Sequence, residues 1–306
     1  MWSRRKGEIL ALTGAVGFAF NGVVSKLLLT SGLSSPRLTQ VRCGGAFLLL
    51  GAYVFLRYKH KFRTNKSELP WLIAYGLVGF LAVQIFYFIA ITRMHVSIGL
   101  IIEFTAPIWI LFWLRYVLKK HVPSQMWIAI GLAFSGLLCI AQVWKGQTLD
   151  TIGVLAALVD AVALAVYFLL GEKLTKARDA QSLSVFGFGI ATVGLLIALP
   201  IWSFPIEIFT QSINLQGRFS AYNLPGWVLV AWVITMGTIA PYLFVVNGIK
   251  LLSASTSSVM GMAEPVLAGV FAWWWLYERW NFIQLVGGVV VLTGIVLADR
   301  ARTAAR

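Results

Sequence analysis

Residues 253–298 read SASTSSVMGMAEPVLAGVFAWWWLYERWNFIQLVGGVVVLTGIVLA. The segment holds two apolar runs, each about long enough to cross a ~30 Å hydrocarbon layer as a helix, joined by a tight charged turn at Glu278 and Arg279. Near the middle of the first run stands Glu264, followed by Pro265. A carboxylate at that depth costs about 3 kcal/mol or more if it faces lipid, so it is expected to face a bundle interior or a wet cavity. Proline brings a second polar group to the same place. It has no N–H, and it leaves the carbonyl of Gly261, four residues back, without a helical partner. Glu264 and that carbonyl are expected to line one cavity.

An earlier stretch, 96–141, echoes this one: Glu103 precedes Pro107, and a charged turn of Lys119, Lys120 and His121 leads into another apolar run. Laying Pro107 on Pro265 lays Ser97 on Ser255 and Gly136 on Gly294, which points to a duplicated chain. Composition agrees with a polytopic membrane protein. Of 306 residues, 59% are hydrophobic and 12% charged, against roughly 45–50% and about 25% in soluble domains. In a soluble domain the net charge of +14 would suggest a nucleic-acid partner. Here the basic residues sit mainly in alternate short loops, as membrane topology requires, so no nucleic acid is expected. Cys43 and Cys139 lie in apolar runs without CxxC or zinc spacing and read as packing residues. Arg4, Arg5 and Lys6 precede the first run as in a signal peptide, but no small-residue cleavage site follows, and that run is read as retained.

Ten runs of suitable length occur, at 9–30, 38–56, 69–91, 96–118, 126–143, 152–170, 183–204, 224–246, 254–277 and 282–298. With a cytoplasmic amino terminus, eighteen lysines and arginines fall in the inner segments and five in the outer ones, and Lys26 and Arg42 lie within spans. That bias predicts a multi-pass protein of the inner (plasma) membrane with both termini cytoplasmic. Five spans per half is an odd number, so two homologous halves insert in opposite directions. Inverted repeats of this kind build many secondary transporters, with the site at the midplane between halves. The expected fold is all-α: ten transmembrane helices as two inverted five-helix repeats, 1–147 and 148–306, around a central cavity. The hinge between repeats would be 145–150, and the one long connection, 205–223, would be an external solvated loop.

At about 1.5 Å rise per residue, Glu103, Asp160 and Glu264 all fall near the midplane, and all three are candidate substrate-binding groups. Lys26 and Arg42 are expected nearer the outer side, where pairing with Glu103 is the alternative role for that acid. Glu264 has no evident cation at its depth. Asn21 shares a stripe with Gly14, Gly17 and Ser25, Gln84 and Tyr87 share one side of the third span, and Tyr167 lies two turns beyond Asp160. These four polar residues complete the candidate cavity wall. Pro107 and Pro265 are candidate gating positions, because each removes a backbone bond beside the site. His60, His95 and His121 fall in or beside loops, and no H-E-x-x-H, G-x-S-x-G, P-loop or G-x-G-x-x-G occurs. No catalytic residue, metal or cofactor is therefore expected, and neither an enzyme nor an ATP-driven pump is favoured.

The run Glu264-Pro265-Val266 through Leu276-Tyr277-Glu278, Gln284, Gly287-Gly288 and Gly294 resembles the closing motif of the EamA family of the drug/metabolite transporter (DMT) superfamily. That family's repeat ends in a proline span, a Leu-Gly-Glu turn and a Gln-x-x-Gly span. Lys26, Pro36, Arg42 and Pro107 match its first repeat, whereas the turn glutamate there is replaced by Leu118-Lys119-Lys120. The resemblance implies two inverted five-helix repeats around a cavity. It also implies a secondary transporter, expected to be an exporter, of a small organic metabolite such as an amino acid. Uptake of a quaternary amine or efflux of drugs is the alternative, since aromatic faces beside a carboxylate suit such cations. A non-transporting receptor or scaffold is the alternative class, for which the inner loops are short. The expected partners are the solute, the bilayer and a proton or counter-substrate, and the expected assembly is a monomer or homodimer.

Overall fold

The computed structural model describes residues 2–93, 96–144 and 150–304. His95 and most of the expected hinge at 145–150 lie outside the described residues. Among the described residues, nine helices are long and apolar enough to cross a membrane: α1 (Arg5–Thr30), α2 (Ser35–Arg57), α3 (Leu69–Arg93), α4 (Ile98–Val117), α5 (Ser124–Ala141), α6 (Thr151–Leu174), α7 (Ala180–Ala198), α8 (Gly226–Leu251) and α9 (Ala254–Leu276). A shorter apolar helix, α10 (Phe282–Ala298), completes ten. Helix is the form such sequences take in lipid, where every backbone group must be satisfied within the segment.

Polar residues at the ends fix where the helices begin. Asp150 accepts from the Gly153 N–H at 2.7 Å and caps α6, Asp179 accepts from the Ser182 N–H at 2.8 Å and caps α7, and Ser253 accepts from the Thr256 N–H at 3.3 Å and caps α9. Proline sets the interruptions. α4 breaks at Phe104 and Thr105 just before Pro107, and α9 breaks at Met262 just before Pro265.

The duplication is visible in three dimensions. Laying Pro107 on Pro265 also lays Lys119 on Tyr277, and both residues end their helices in the left-handed region, at φ 51° and 60°. The same register brings the wide π-helical turns of α3 (Tyr75–Ala82) over those of α8 (Thr235–Ile239). A Cβ on Gly136 would lie 2.6 Å from the Gly287 carbonyl oxygen and 2.7 Å from the Val291 nitrogen. One on Gly294 would lie 2.7 Å from the Ala129 carbonyl oxygen and 2.7 Å from the Ala133 nitrogen, the equivalent contacts with the halves exchanged. Helix pairing obeys the same exchange. α1 packs on α8 as α6 packs on α3, α1 on α9 as α6 on α4, α2 on α8 as α7 on α3, while α2–α7, α4–α9 and α5–α10 each map onto themselves. The fold is two five-helix repeats of opposite direction.

One expectation about the connections fails. The segment between α7 and α8 is a folded cap. Strand β1 (Ser212–Asn214) pairs antiparallel with β2 (Asn223–Pro225), with Ile213 opposite Leu224. Ile208 and Ile213 are buried beneath it. Trp275 Nε1 donates to the Leu215 carbonyl at 2.8 Å and Arg218 Nε to the Trp274 carbonyl at 3.0 Å, which ties the cap to the end of α9. Ile208, Ile213, Phe204, Phe209 and Phe219 find apolar cover there that a solvated loop would forgo, while Ile206 stays exposed. α7 also stops at Ala198, ahead of the expected 204, because Pro200 cannot continue it.

Candidate solute-binding cavity

The repeats enclose a cavity of about 750 Å³ walled by α1, α2, α3, α4, α6, α8 and α9. Glu264 reaches it from the break in α9, and the Gly261 position beside that break lines it too. Glu103 reaches it from the end of the first segment of α4, Asn21 from α1, Gln84 and Tyr87 from α3, Tyr167 from α6, and Pro107 from α4. Two candidates lie elsewhere. Pro265 lines an adjoining side pocket of about 380 Å³ between α1, α4, α5, α9 and α10. Asp160 is 1% exposed and lies off the cavity wall.

Cations are arranged differently from the expectation. Neither Lys26 nor Arg42 pairs with Glu103. Lys26 Nζ donates to Glu278 at the mouth of the cavity, a pair in which each side chain is 49% exposed. Arg42 projects from α2 into the cavity and its Nε donates to Thr238 Oγ1 at 3.1 Å, inside the π-helical stretch of α8. Thr238 is free to accept there because its hydroxyl hydrogen goes to the Val233 carbonyl at 2.8 Å. The terminal nitrogens of Arg42 make no hydrogen bond among the described residues, and neither do the carboxylates of Glu264 and Glu103. Arg42 and Glu264 lie within electrostatic reach of one another, as do Glu264 and Glu103. Helix spacing alone does not reveal that α2 delivers an arginine to the wall occupied by Glu264. The available signal was that Arg42 is an ionic residue inside an apolar run.

The remaining wall is polar above and aromatic below. Asn21 Oδ1 accepts from Ser25 Oγ at 3.4 Å, and any side chain at Gly237 would collide with that oxygen. Gly14 and Gly17, earlier on the same stripe, serve close packing of α1 on Val245 and Pro241 of α8. Thr39 Oγ1 donates to Gln84 Oε1 at 3.4 Å. Ser257, Ser258 and Tyr242, absent from the sequence-derived set, also line the cavity. Toward the amino-terminal face the cavity ends on packed rings: Tyr75 stacks on Tyr167 at 5.4 Å, and Phe80 stacks on Tyr242 at 4.9 Å and meets Phe188 edge-on at 5.2 Å. Trp109 and Trp113 point outward from α4, 40% and 46% exposed, so they belong to the lipid-facing surface.

Beyond the aromatic floor the same face is clamped. Arg178, after α6, is 9% exposed and holds Glu68 with two bonds, Nε to Oε1 at 2.5 Å and Nη2 to Oε2 at 2.9 Å. Its Nη1 donates to Ser182 at 2.7 Å and to the Lys61 carbonyl at 2.9 Å, and its Nη2 donates to the Arg63 carbonyl at 2.8 Å. Lys61 pairs with Asp179 at 2.6 Å. Partial burial pushes the Asp179 carboxyl up, but hydrogen bonds from Lys61 and the Ser182 N–H, with the fields of Lys61 and Lys250, outweigh it and hold this acid below its ordinary 3.8. Glu172 at the end of α6 accepts from the Ala254 N–H at 2.6 Å, fastening α6 to the start of α9. The cavity is therefore sealed at the amino-terminal face and reaches the exposed Lys26 and Glu278 at the other.

A cavity between inverted repeats that holds a few ionisable and polar side chains and is closed at one face is the architecture of a membrane transporter. The chain belongs to the EamA-like transporter family, which matches residues 5–142 and 151–298. It is similar to an uncharacterized transporter of Archaeoglobus fulgidus, 22% identical over 98% of this chain and 99% of the relative. It is also similar to the uncharacterized inner membrane transporter YicL of Salmonella typhimurium, 22% identical over 99% and 100%, and to the uncharacterized transporter YdfC of Bacillus subtilis, 24% identical over 81% and 78%. A solved crystal structure superposes with a TM-score of 0.77 at 15% identity, covering 99% of each chain, and at that identity the likeness concerns the fold.

Proposed function

We propose that this protein is a secondary transporter that exports a small zwitterionic metabolite such as an amino acid by alternating access. One observation carries the reading: Arg42 and Glu264 share a cavity wall, and each has bonding capacity left unspent among the described residues. A guanidinium with two free terminal nitrogens suits a carboxylate, bound by paired charge-assisted hydrogen bonds. A carboxylate at the break in α9 suits an ammonium group. The aromatic residues would also suit a quaternary amine, but a cation lacking a carboxylate would leave Arg42 unpartnered and repelled.

The family resemblance supports export as the direction. The loop charges support an inner-membrane location with both termini cytoplasmic, which makes the clamped face the cytoplasmic one, and the two family matches, 5–142 and 151–298, support repeats divided between 147 and 148. In proteoliposomes loaded with a pool of radiolabelled amino acids, the wild type is expected to exchange label with external amino acid, and Glu264→Gln or Arg42→Gln to slow exchange at least about tenfold, the worth of ~1.4 kcal/mol. Equal exchange in all three proteins would refute the assignment of the site to Arg42 and Glu264, and no exchange in the wild type with any zwitterion would refute the transport reading and favour the receptor class.

A further inference from the structure

We propose that Asp160 is a proton-carrying site, separate from the cavity that holds the solute, and that it couples transport to the proton gradient. The inference rests on the transporter reading above. Asp160 sits on α6 with both carboxylate oxygens buried and without a hydrogen-bond partner among the described residues. Its own helix offers it only apolar neighbours, the buried Ala156, Ala157, Ala161 and Ala163. One turn away, Ala156 and Ala157 of α6 pack in an apolar cluster with Ala90 of α3 and Ile98 of α4. With no hydrogen bond from a described group to replace water, an ionised carboxylate there is costly, so in this conformation Asp160 holds a proton. A metal ion would require several further oxygen ligands, and no three metal-ligating side chains come together among the described residues.

The groups that face Asp160 supply a route. From α3 comes Tyr87 and from α4 Glu103, both within electrostatic reach of Asp160 and both on the cavity wall. Arg42 and Glu264 act on the same Tyr87 from the far side. The other titratable residues packed near α6 stay away from it: Tyr75 of α3 and Tyr242 of α8 are engaged with Tyr167, and the first segment of α9 presents Ser257, Ser258 and Gly261, none of them titratable, to the cavity. The step is a simple transfer. A proton that enters from cavity water sits on the Glu103 carboxylate; once a side-chain rotation or a bridging water links the two carboxyls, which share no hydrogen bond in this conformation, the Glu103 O–H bond breaks as the O–H bond of Asp160 forms, and the negative charge passes to Glu103.

Release needs water at the depth of Asp160. α4 is broken directly after Glu103, and the hydrogen bond that fastens α6 to α9, from the Ala254 N–H to Glu172, lies at the clamped face. Opening that face parts α6 from α9 and wets α6, so the proton leaves on the side opposite to its entry.

Two measurements test this. In infrared spectra of the purified protein at neutral pH, the carbonyl band of a protonated, non-hydrogen-bonded carboxyl is expected in the wild type and in Glu264→Gln, and is expected to vanish in Asp160→Asn. In proteoliposomes an imposed pH gradient is expected to drive accumulation of a radiolabelled amino-acid pool. Asp160→Asn should lose that accumulation at least tenfold yet keep amino-acid exchange, and Asp160→Glu should recover part of the coupling.

Several results would overturn the inference: accumulation unchanged in Asp160→Asn, exchange lost together with accumulation in a folded Asp160→Asn, accumulation that follows sodium and not pH, or no carboxyl band. If the wild type exchanges no amino acid, the solute reading fails by itself, and loss of the band in Asp160→Asn would still support the proton site.

Discussion

Two seams of this molecule are equivalent by sequence and different by state. Exchanging each helix for its counterpart five spans on turns the α6–α9 seam into the α1–α4 seam. The first is shut: α6 packs along α9, and Glu172 grips the Ala254 N–H. The second is parted, and Ala15, Ala19, Leu100, Glu103 and Phe104 face each other across the cavity. One duplicated segment thus rests in two conformations within a single chain. The opposite conformation requires no new fold, only that the two repeats trade arrangements, which is the geometric content of alternating access between inverted repeats. The proline breaks in α4 and α9 stand where each repeat must bend.

The fastenings of the two faces differ in strength, and that difference can be broken experimentally. Arg178→Ala removes a buried arginine and with it the charge partner and two bonds of a part-buried Glu68, which at about 3 kcal/mol is the largest effect expected. A single cysteine at Ser184, buried between the clamp and the aromatic floor, reports it in a background where Cys43 and Cys139 are alanine. Alkylation should speed up about 100-fold. Lys26→Ala removes only a half-exposed pair at the mouth, worth below ~1 kcal/mol, and should leave labelling of the same cysteine within about fivefold. Comparable rates in the two variants would mean that the clamped face is not the stronger one.

A smaller effect sharpens the same contrast. Because the carboxyl of Asp179 titrates below its ordinary value, its pairing stabilises the clamp fully above the ordinary carboxylate range and is lost as pH falls through the lowered value. Asp179→Asn should therefore destabilise the detergent-solubilised protein at pH 7, by less than ~1 kcal/mol for a group this exposed, seen as a lower Tm, and the gap from wild type should close in acid below about pH 4. A gap that widens in acid would have the wrong sign.

Much of the fold was legible because lipid leaves so few choices. Apolar runs of about twenty residues, basic residues gathered in alternate loops and prolines inside spans gave ten helices, the duplication and the two breaks, and placed Glu103 and Glu264 at a depth where a cavity must receive them. Partner choice across the bundle was not legible. Lys26 meets Glu278, 252 positions away, and Arg42 meets Thr238 in a π-helical stretch that no period of 3.6 reveals. Asp160 and Tyr167 lie on one stripe of α6, yet only Tyr167 reaches the cavity, since a stripe specifies a face and says nothing of the depth at which the cavity stops. The cap between α7 and α8 went unread because short strands and single helical turns carry little periodicity.

The central claim is that Arg42 and Glu264 hold the two ends of a zwitterion. A double-mutant matrix tests it most directly: thermal shifts of wild type, Arg42→Gln and Glu264→Gln, each titrated with one stabilising amino acid, its carboxamide and its N-acetyl derivative. A bound solute raises Tm by mass action, and modifications that remove the same contact do not add. The carboxamide should bind more weakly than the parent to wild type and to Glu264→Gln but no more weakly to Arg42→Gln, and the N-acetyl form should show the mirror pattern. Losses that simply add in all nine combinations would contradict the claim.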